Sequence, residues 1–133
     1  MEPSPPRPPQ TPGEHLRAAR TSRRLLQRDV ARQMGVCTQS VLEWESGKSL
    51  SITMWPKLIR FLGYDPIRDQ ATLGAQIAAL RRCLGLSLNR LGRRLGCDEE
   101  TVAHWESNRR MPNKLLRDAL EKLFAEYEIG ATR

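Results

Sequence analysis

Leu25-Leu26-Gln27-Arg28-Asp29-Val30-Ala31-Arg32-Gln33-Met34-Gly35-Val36-Cys37-Thr38-Gln39-Ser40-Val41-Leu42-Glu43-Trp44-Glu45-Ser46-Gly47-Lys48 is the stretch that decides the fold. Val30, Ala31 and Met34 fall on one side of a helix, and Val41 and Trp44 repeat that spacing one helix later. Between them stands Gly35, a residue that adopts positive φ without steric cost, so the first helix can end and the chain can turn within a few residues. The spacing predicts helices over 27–34 and 38–46 joined by a sharp turn. An apolar periodicity from residue 13 adds a helix over 13–22.

The same pattern recurs. Residues 13–51 align without a gap onto residues 74–112, pairing Gly13 with Gly74, Ala18 with Ala79, Arg20 with Arg81, Leu25 with Leu86, Arg32 with Arg93, Gly35 with Gly96, Val41 with Val102 and Trp44-Glu45-Ser46 with Trp105-Glu106-Ser107. Helices over 74–83, 88–95 and 99–107 follow by the same spacing. Each copy then appends one more, over 54–62 and 114–128, with Pro56 tolerable only in a first helical turn. The fold class expected is all-α, with two small helical bundles in tandem. The division is a Pro-rich tail over 1–12, a first domain over 13–66, a connector over 67–72, a second domain over 73–129 and a short tail over 130–133. Six prolines in the first twelve residues forbid a helix there, and the stretch is expected to be a passive leader, the alternative being a flexible arm that brings Arg7 to DNA.

Composition narrows the partner. The 133 residues carry 22 Lys and Arg against 15 Asp and Glu, a formal charge of +7, which suits a polyanion without specifying one. Cys37, Cys83 and Cys97 form no C-x-x-C pair and, with only His15 and His104 for company, suggest reduced thiols and no zinc. No apolar run approaches the roughly 20 residues that span a bilayer, so a cytoplasmic or nucleoid location is expected. No nucleophile–base pattern, metal cluster or glycine-rich phosphate loop points to an enzyme or a cofactor.

Residues 25–48 resemble the Xre/Cro-type helix-turn-helix family of phage repressors, as do residues 86–109. The physical logic agrees: the major groove admits one α-helix and alone distinguishes all four base pairs, so a reader needs a buttressed helix with short polar side chains at its amino end. In the first copy these are Thr38, Gln39 and Ser40, with Glu43 one turn on. Gln39 carries the donor and acceptor that match the N6/N7 edge of adenine. The resemblance gives Gln27 the role of a backbone clamp, with Arg28 and Lys48 as assisting cations. It also implies ion pairs joining first and third helices, Arg20 with Glu45 and Arg81 with Glu106. Trp44 and Trp105 share the face of a core valine and are expected in the core, not stacked on bases.

The second copy differs where reading is expected. Asp98, Glu99 and Glu100 precede Thr101, and Leu88 replaces the clamp glutamine; three carboxylates repel phosphate, although Glu can accept from cytosine N4. Asn89, His104, Arg109 and Arg110 complete its candidate surface. DNA contact and a role in packing both stand at this point. The last helix, with Leu116, Ala119, Leu120, Leu123, Phe124 and Tyr127 on one side, either closes its own domain or pairs two chains. The reading is a double-stranded DNA-binding transcriptional regulator with the second repeat auxiliary. The alternative is an antitoxin-like or adaptor module that binds a protein partner, with DNA secondary.

Overall fold

A computed structural model describes residues 8–130, and every regular element among them is helical. The elements are α1 (Pro12–Ser22), α2 (Gln27–Met34), α3 (Thr38–Glu45), a 3-10 turn (Ile52–Met54), α4 (Trp55–Leu62), α5 (Leu73–Leu84), α6 (Leu88–Leu95), α7 (Glu99–Glu106) and α8 (Lys114–Glu126). Arg7 and most of the expected leader lie outside the described residues, as do residues 131–133.

The expected tail over 1–12 is too long. Thr11 caps α1, its hydroxyl accepting from the Glu14 N–H at 3.1 Å, and Pro12 takes the first helical position, where the missing N–H is not needed. Pro56 likewise falls in the first turn of α4. Residue 54, expected in that helix, belongs to the preceding 3-10 turn, because Met54 N–H bonds the Ser51 carbonyl three residues back. α8 stops at Glu126, two residues early, and Glu128 has positive φ.

Two hydrophobic cores form. Leu16, Val30, Met34, Val41, Trp44, Trp55, Leu58 and Leu62 pack together in the first half. Ile77, Leu80, Leu91, Val102, Trp105, Leu120, Phe124 and Ile129 do so in the second. Gly35 and Gly96 terminate α2 and α6 at φ +72° and +81°, the left-handed region that the sharp turn requires. Gly13 and Gly74 serve closeness instead: a Cβ on Gly13 would press into the Trp44 carbonyl oxygen, and one on Gly74 would lie 2.6 Å from that of Trp105. Small residues at the start of α1 and α5 therefore let those helices rest directly on the ends of α3 and α7.

The two halves are packed against each other. α4 and the 3-10 turn lie on α5. Arg82 of α5 is buried at this seam, its Nε 2.9 Å from Asp65 Oδ2, its Nη2 donating to the Ile67 carbonyl at 3.3 Å, and its guanidinium 5.8 Å from the centre of the Trp55 ring. Pro56 sits against Gly85, which ends α5 at φ +70°.

Candidate nucleic-acid interface

α3 is a short helix held from behind. Val41 and Trp44 face the core, and the preceding turn is pinned by the Val36 N–H donating to the Ala31 carbonyl at 2.9 Å. Its outer face carries Thr38 and Gln39, both exposed, and Ser40, partly so. Gln39 Nε2 donates to Glu43 Oε1 at 3.3 Å, and Lys48 Nζ lies 3.2 Å from Glu43 Oε2. The Gln39 hydrogen bond, then Lys48, holds the Glu43 carboxyl below its ordinary range. Gln39 thereby commits one amide hydrogen and keeps the other, with the carbonyl oxygen, for a two-point partner. At the N-cap, the exposed Cys37 Sγ lies 3.2 Å from the Ser40 hydroxyl, whose hydrogen bonding pulls the thiol below its usual range.

Behind this face lies an ion-pair knot. Glu45 accepts from Arg20 Nε at 2.8 Å and Arg20 Nη2 at 2.9 Å, and from Arg17 Nε at 3.2 Å. Gln27 Nε2 reaches the same carboxylate at 3.5 Å, a long bond at the start of α2. In this arrangement the Gln27 amide is turned toward Glu45, whereas Arg28 beside it is exposed. Burial raises the Glu45 pKa, but the Arg20 and Arg17 bonds outweigh it, and the carboxyl ends below its ordinary value. Arg20 Nη1 also donates to the Leu25 carbonyl at 3.1 Å, so one side chain joins α1, the start of the next segment and α3. Arg81 repeats the design with Glu106 and the Leu86 carbonyl.

The corresponding face of the second half has other chemistry. Asp98 caps α7, its carboxylate accepting from the Thr101 N–H at 2.8 Å, a bond that holds its pKa down. Glu99 and Glu100 are exposed in the first turn. His104 Nε2 stands 3.9 Å from Glu100 Oε1, at the limit of an ion pair, and its Nδ1 is buried without a hydrogen-bond partner. Asn89, Arg109 and Arg110 are exposed, and so are Arg90, Arg93 and Arg94 on α6.

Three contributors, Arg17, Lys57 and Ser51, lie beyond the residues singled out from the sequence. Arg17 joins Glu45 although its own side chain stays 59% exposed, a contact that the helical spacing Arg17/Arg20 permits but does not announce. Lys57 and Ser51 line a cleft of about 400 Å³ beside α3, together with Ser40, Glu43 and Lys48. Only the packing of α4 brings Lys57 to that edge. Among the described residues no group of His, Cys, Asp and Glu is arranged to hold a metal ion, and no helix is long and apolar enough to cross a membrane.

A sharp turn after α2, a buttressed α3 and a polar, exposed helix start define a helix-turn-helix. The helix-turn-helix family model matches residues 16–67, which span α2, the turn, α3 and α4, so the first half contains a helix-turn-helix domain. That match ends before α5. No curated protein and no solved structure gives a significant match to the chain.

Proposed function

We propose that this chain is a sequence-specific transcriptional regulator that docks α3 in the major groove of double-stranded DNA. The observation that carries the reading is the exposed Thr38-Gln39 pair at the start of α3, inside the segment that matches the helix-turn-helix family. Thr38, Gln39 and Ser40 meet base edges or phosphates, and Glu43 sets the orientation of Gln39. Arg28, Lys48 and Lys57 supply cations for the flanking phosphates, and Gln27 turns from Glu45 to the backbone when DNA arrives.

The second half, a tandem repeat of the first in sequence, acts as an auxiliary. The exposed arginines of α6 and of the segment after α7, Arg90, Arg93, Arg94, Arg109 and Arg110, favour phosphate contact, while Glu99 and Glu100 disfavour approach of the α7 start to the backbone. Those two carboxylates also support the second reading, in which this half binds a protein partner. Leu115 of α8, 79% exposed, offers a place for a second chain.

Selection of the purified chain against a random duplex library at near-physiological salt tests the reading. The result expected is an enriched motif that disappears in the Thr38→Ala/Gln39→Ala variant, with two-fold symmetry if chains pair. Weak, salt-sensitive binding without any enriched sequence would overturn it in favour of the partner-binding module.

A further inference from the structure

We infer that Arg82 locks the two halves into one rigid DNA-binding body, so that the duplex is engaged at two places with a single fixed separation. This rests on the DNA-reading proposal above and adds what that proposal leaves open, the mechanical relation of the second half to the first.

The observations come from the seam. A buried arginine is costly unless its charge and hydrogen bonds are met, and here one side chain meets Asp65 and the Ile67 carbonyl while lying over Trp55. Asp65 and Ile67 lie in the segment that leads from α4 to α5, and Trp55 belongs to the core of the first half. Arg82 therefore ties α5 to the connector and to the opposite core at once. On the same edge, Gly85 lets Pro56 approach so closely that an added Cβ would lie 2.8 Å from its Cγ.

The repeat itself shows that these residues belong to the seam and not to the helical unit. At the equivalent positions α1 has Thr21 where α5 has Arg82, and the chain just past α1 has Arg24 where the chain just past α5 has Gly85. Thr21 and Arg24 are exposed, and Arg24, like Gly85, has positive φ, +56° against +70°. One helix end thus exists in two versions: a polar one facing solvent and one shaped to fit against α4. The unit folds with either, so the second version serves the contact between halves.

A flexible tether would let the second half find phosphates anywhere within its reach. A rigid seam presents its exposed arginines at one distance from α3, with no ordering entropy left to lose on binding. The two cases differ in how affinity depends on duplex length.

The experiment takes the selected duplex and shortens its flank one base pair at a time, measuring affinity and its salt dependence, with hydroxyl-radical footprinting on the full duplex. The result expected is a second protected patch beside the α3 patch. Trimming into it lowers affinity at one length, in a single step that takes roughly two units off the salt slope, the loss of about two phosphate contacts. The variant Arg82→Thr/Gly85→Arg installs the residues that α1 carries at these places, keeping the unit while opening the seam. It should spread the same loss over several base pairs and give the halves separate rotational correlation times in 15N relaxation, where the wild type gives one. A graded loss in the wild type, or an unchanged sharp step in a folded variant with separate correlation times, would overturn the lock. The wild-type series decides alone if the variant does not fold. Protection of the α3 patch alone would overturn this inference and leave the reading by α3 standing, whereas loss of all sequence preference would remove both.

Discussion

Replacing Glu45 by Gln, which keeps size and hydrogen-bonding shape while removing the charge, should destabilise the protein more than the same change at Glu106. The Glu45 side chain is 1% exposed and gathers Arg20, Arg17 and Gln27, so its loss strands a guanidinium that is itself only 17% exposed. Breaking a buried pair from one side costs about 3–5 kcal/mol, and the remaining bond of Arg20 to the Leu25 carbonyl places this case near 3. At Glu106 both partners are nearly a fifth exposed, 19% and 17%, so water recovers part of the loss and about 1–2 kcal/mol is expected. Urea unfolding followed by tryptophan fluorescence measures both, with the larger loss moving the midpoint by about 1–2 M for an m-value near 2 kcal/mol/M. The pH dependence has a definite sign. A carboxyl whose folded pKa lies below its unfolded value stabilises the fold above that unfolded value, and the contribution fades as pH falls from about 4.5 through the folded pKa. Glu45→Gln should therefore lose most at pH 7 and approach the wild type in acid. Equal cost at Glu45 and Glu106, or a Glu45→Gln deficit that stays constant down to pH 2, would refute the argument from burial and charge.

Gly92→Ala should destabilise by about 1 kcal/mol or more, because overpacking outweighs the gain in helix propensity: the new Cβ would lie 2.6 Å from the Cys97 carbonyl oxygen, although Ala31 occupies the equivalent position of the first half without difficulty. Thermal unfolding checks it, and an unchanged or higher midpoint would show that the turn between α6 and α7 yields easily. Gln39→Ala should cost about 1–3 kcal/mol at one base step and relax preference there, whereas Lys48→Ala should weaken cognate and scrambled duplexes alike, as titration against both would reveal. Glu43→Gln should raise affinity for scrambled duplex and steepen the salt slope by about one unit, since Lys48 is then no longer neutralised 3.2 Å away; an unaltered slope would mean that the free-state ion pair has no bearing on phosphate contact.

The helices were legible because their signals are local. Val30, Met34, Val41 and Trp44 fix two faces, Gly35 fixes the turn between them, and the whole set recurs around Gly96, so misreading one copy would have contradicted the other. The reach of Arg20 to Glu45 was accessible only through resemblance, since 25 residues separate them and periodicity carries no information across that gap. Arg17 and Lys57 are illegible for a related reason: in sequence both look like ordinary solvent-facing cations, and only the placement of a second helix gives either one a neighbour of consequence. The seam was hidden further still. A buried arginine in α5 looks in sequence like any solvated charge next to Arg81, and nothing local to Asp65 announces a partner 17 residues on.

Yet the correspondence of residues 13–51 with 74–112 held the clue, in its mismatches more than in its identities. Where two corresponding segments differ, the difference follows what each one faces: the chain leaves α1 through Thr21-Ser22-Arg23-Arg24 and leaves α5 through Arg82-Cys83-Leu84-Gly85. The contact of α4 with α5 is head-to-tail: the last helix of one half meets the first helix of the next, so the two ends carry different chemistry. Thr21 cannot supply the charge that Asp65 requires, and Arg24 projects a long cation where Pro56 needs open space. The end of α1 therefore lacks both features that α5 brings to its contact with α4, a charge for Asp65 and a glycine beside Pro56.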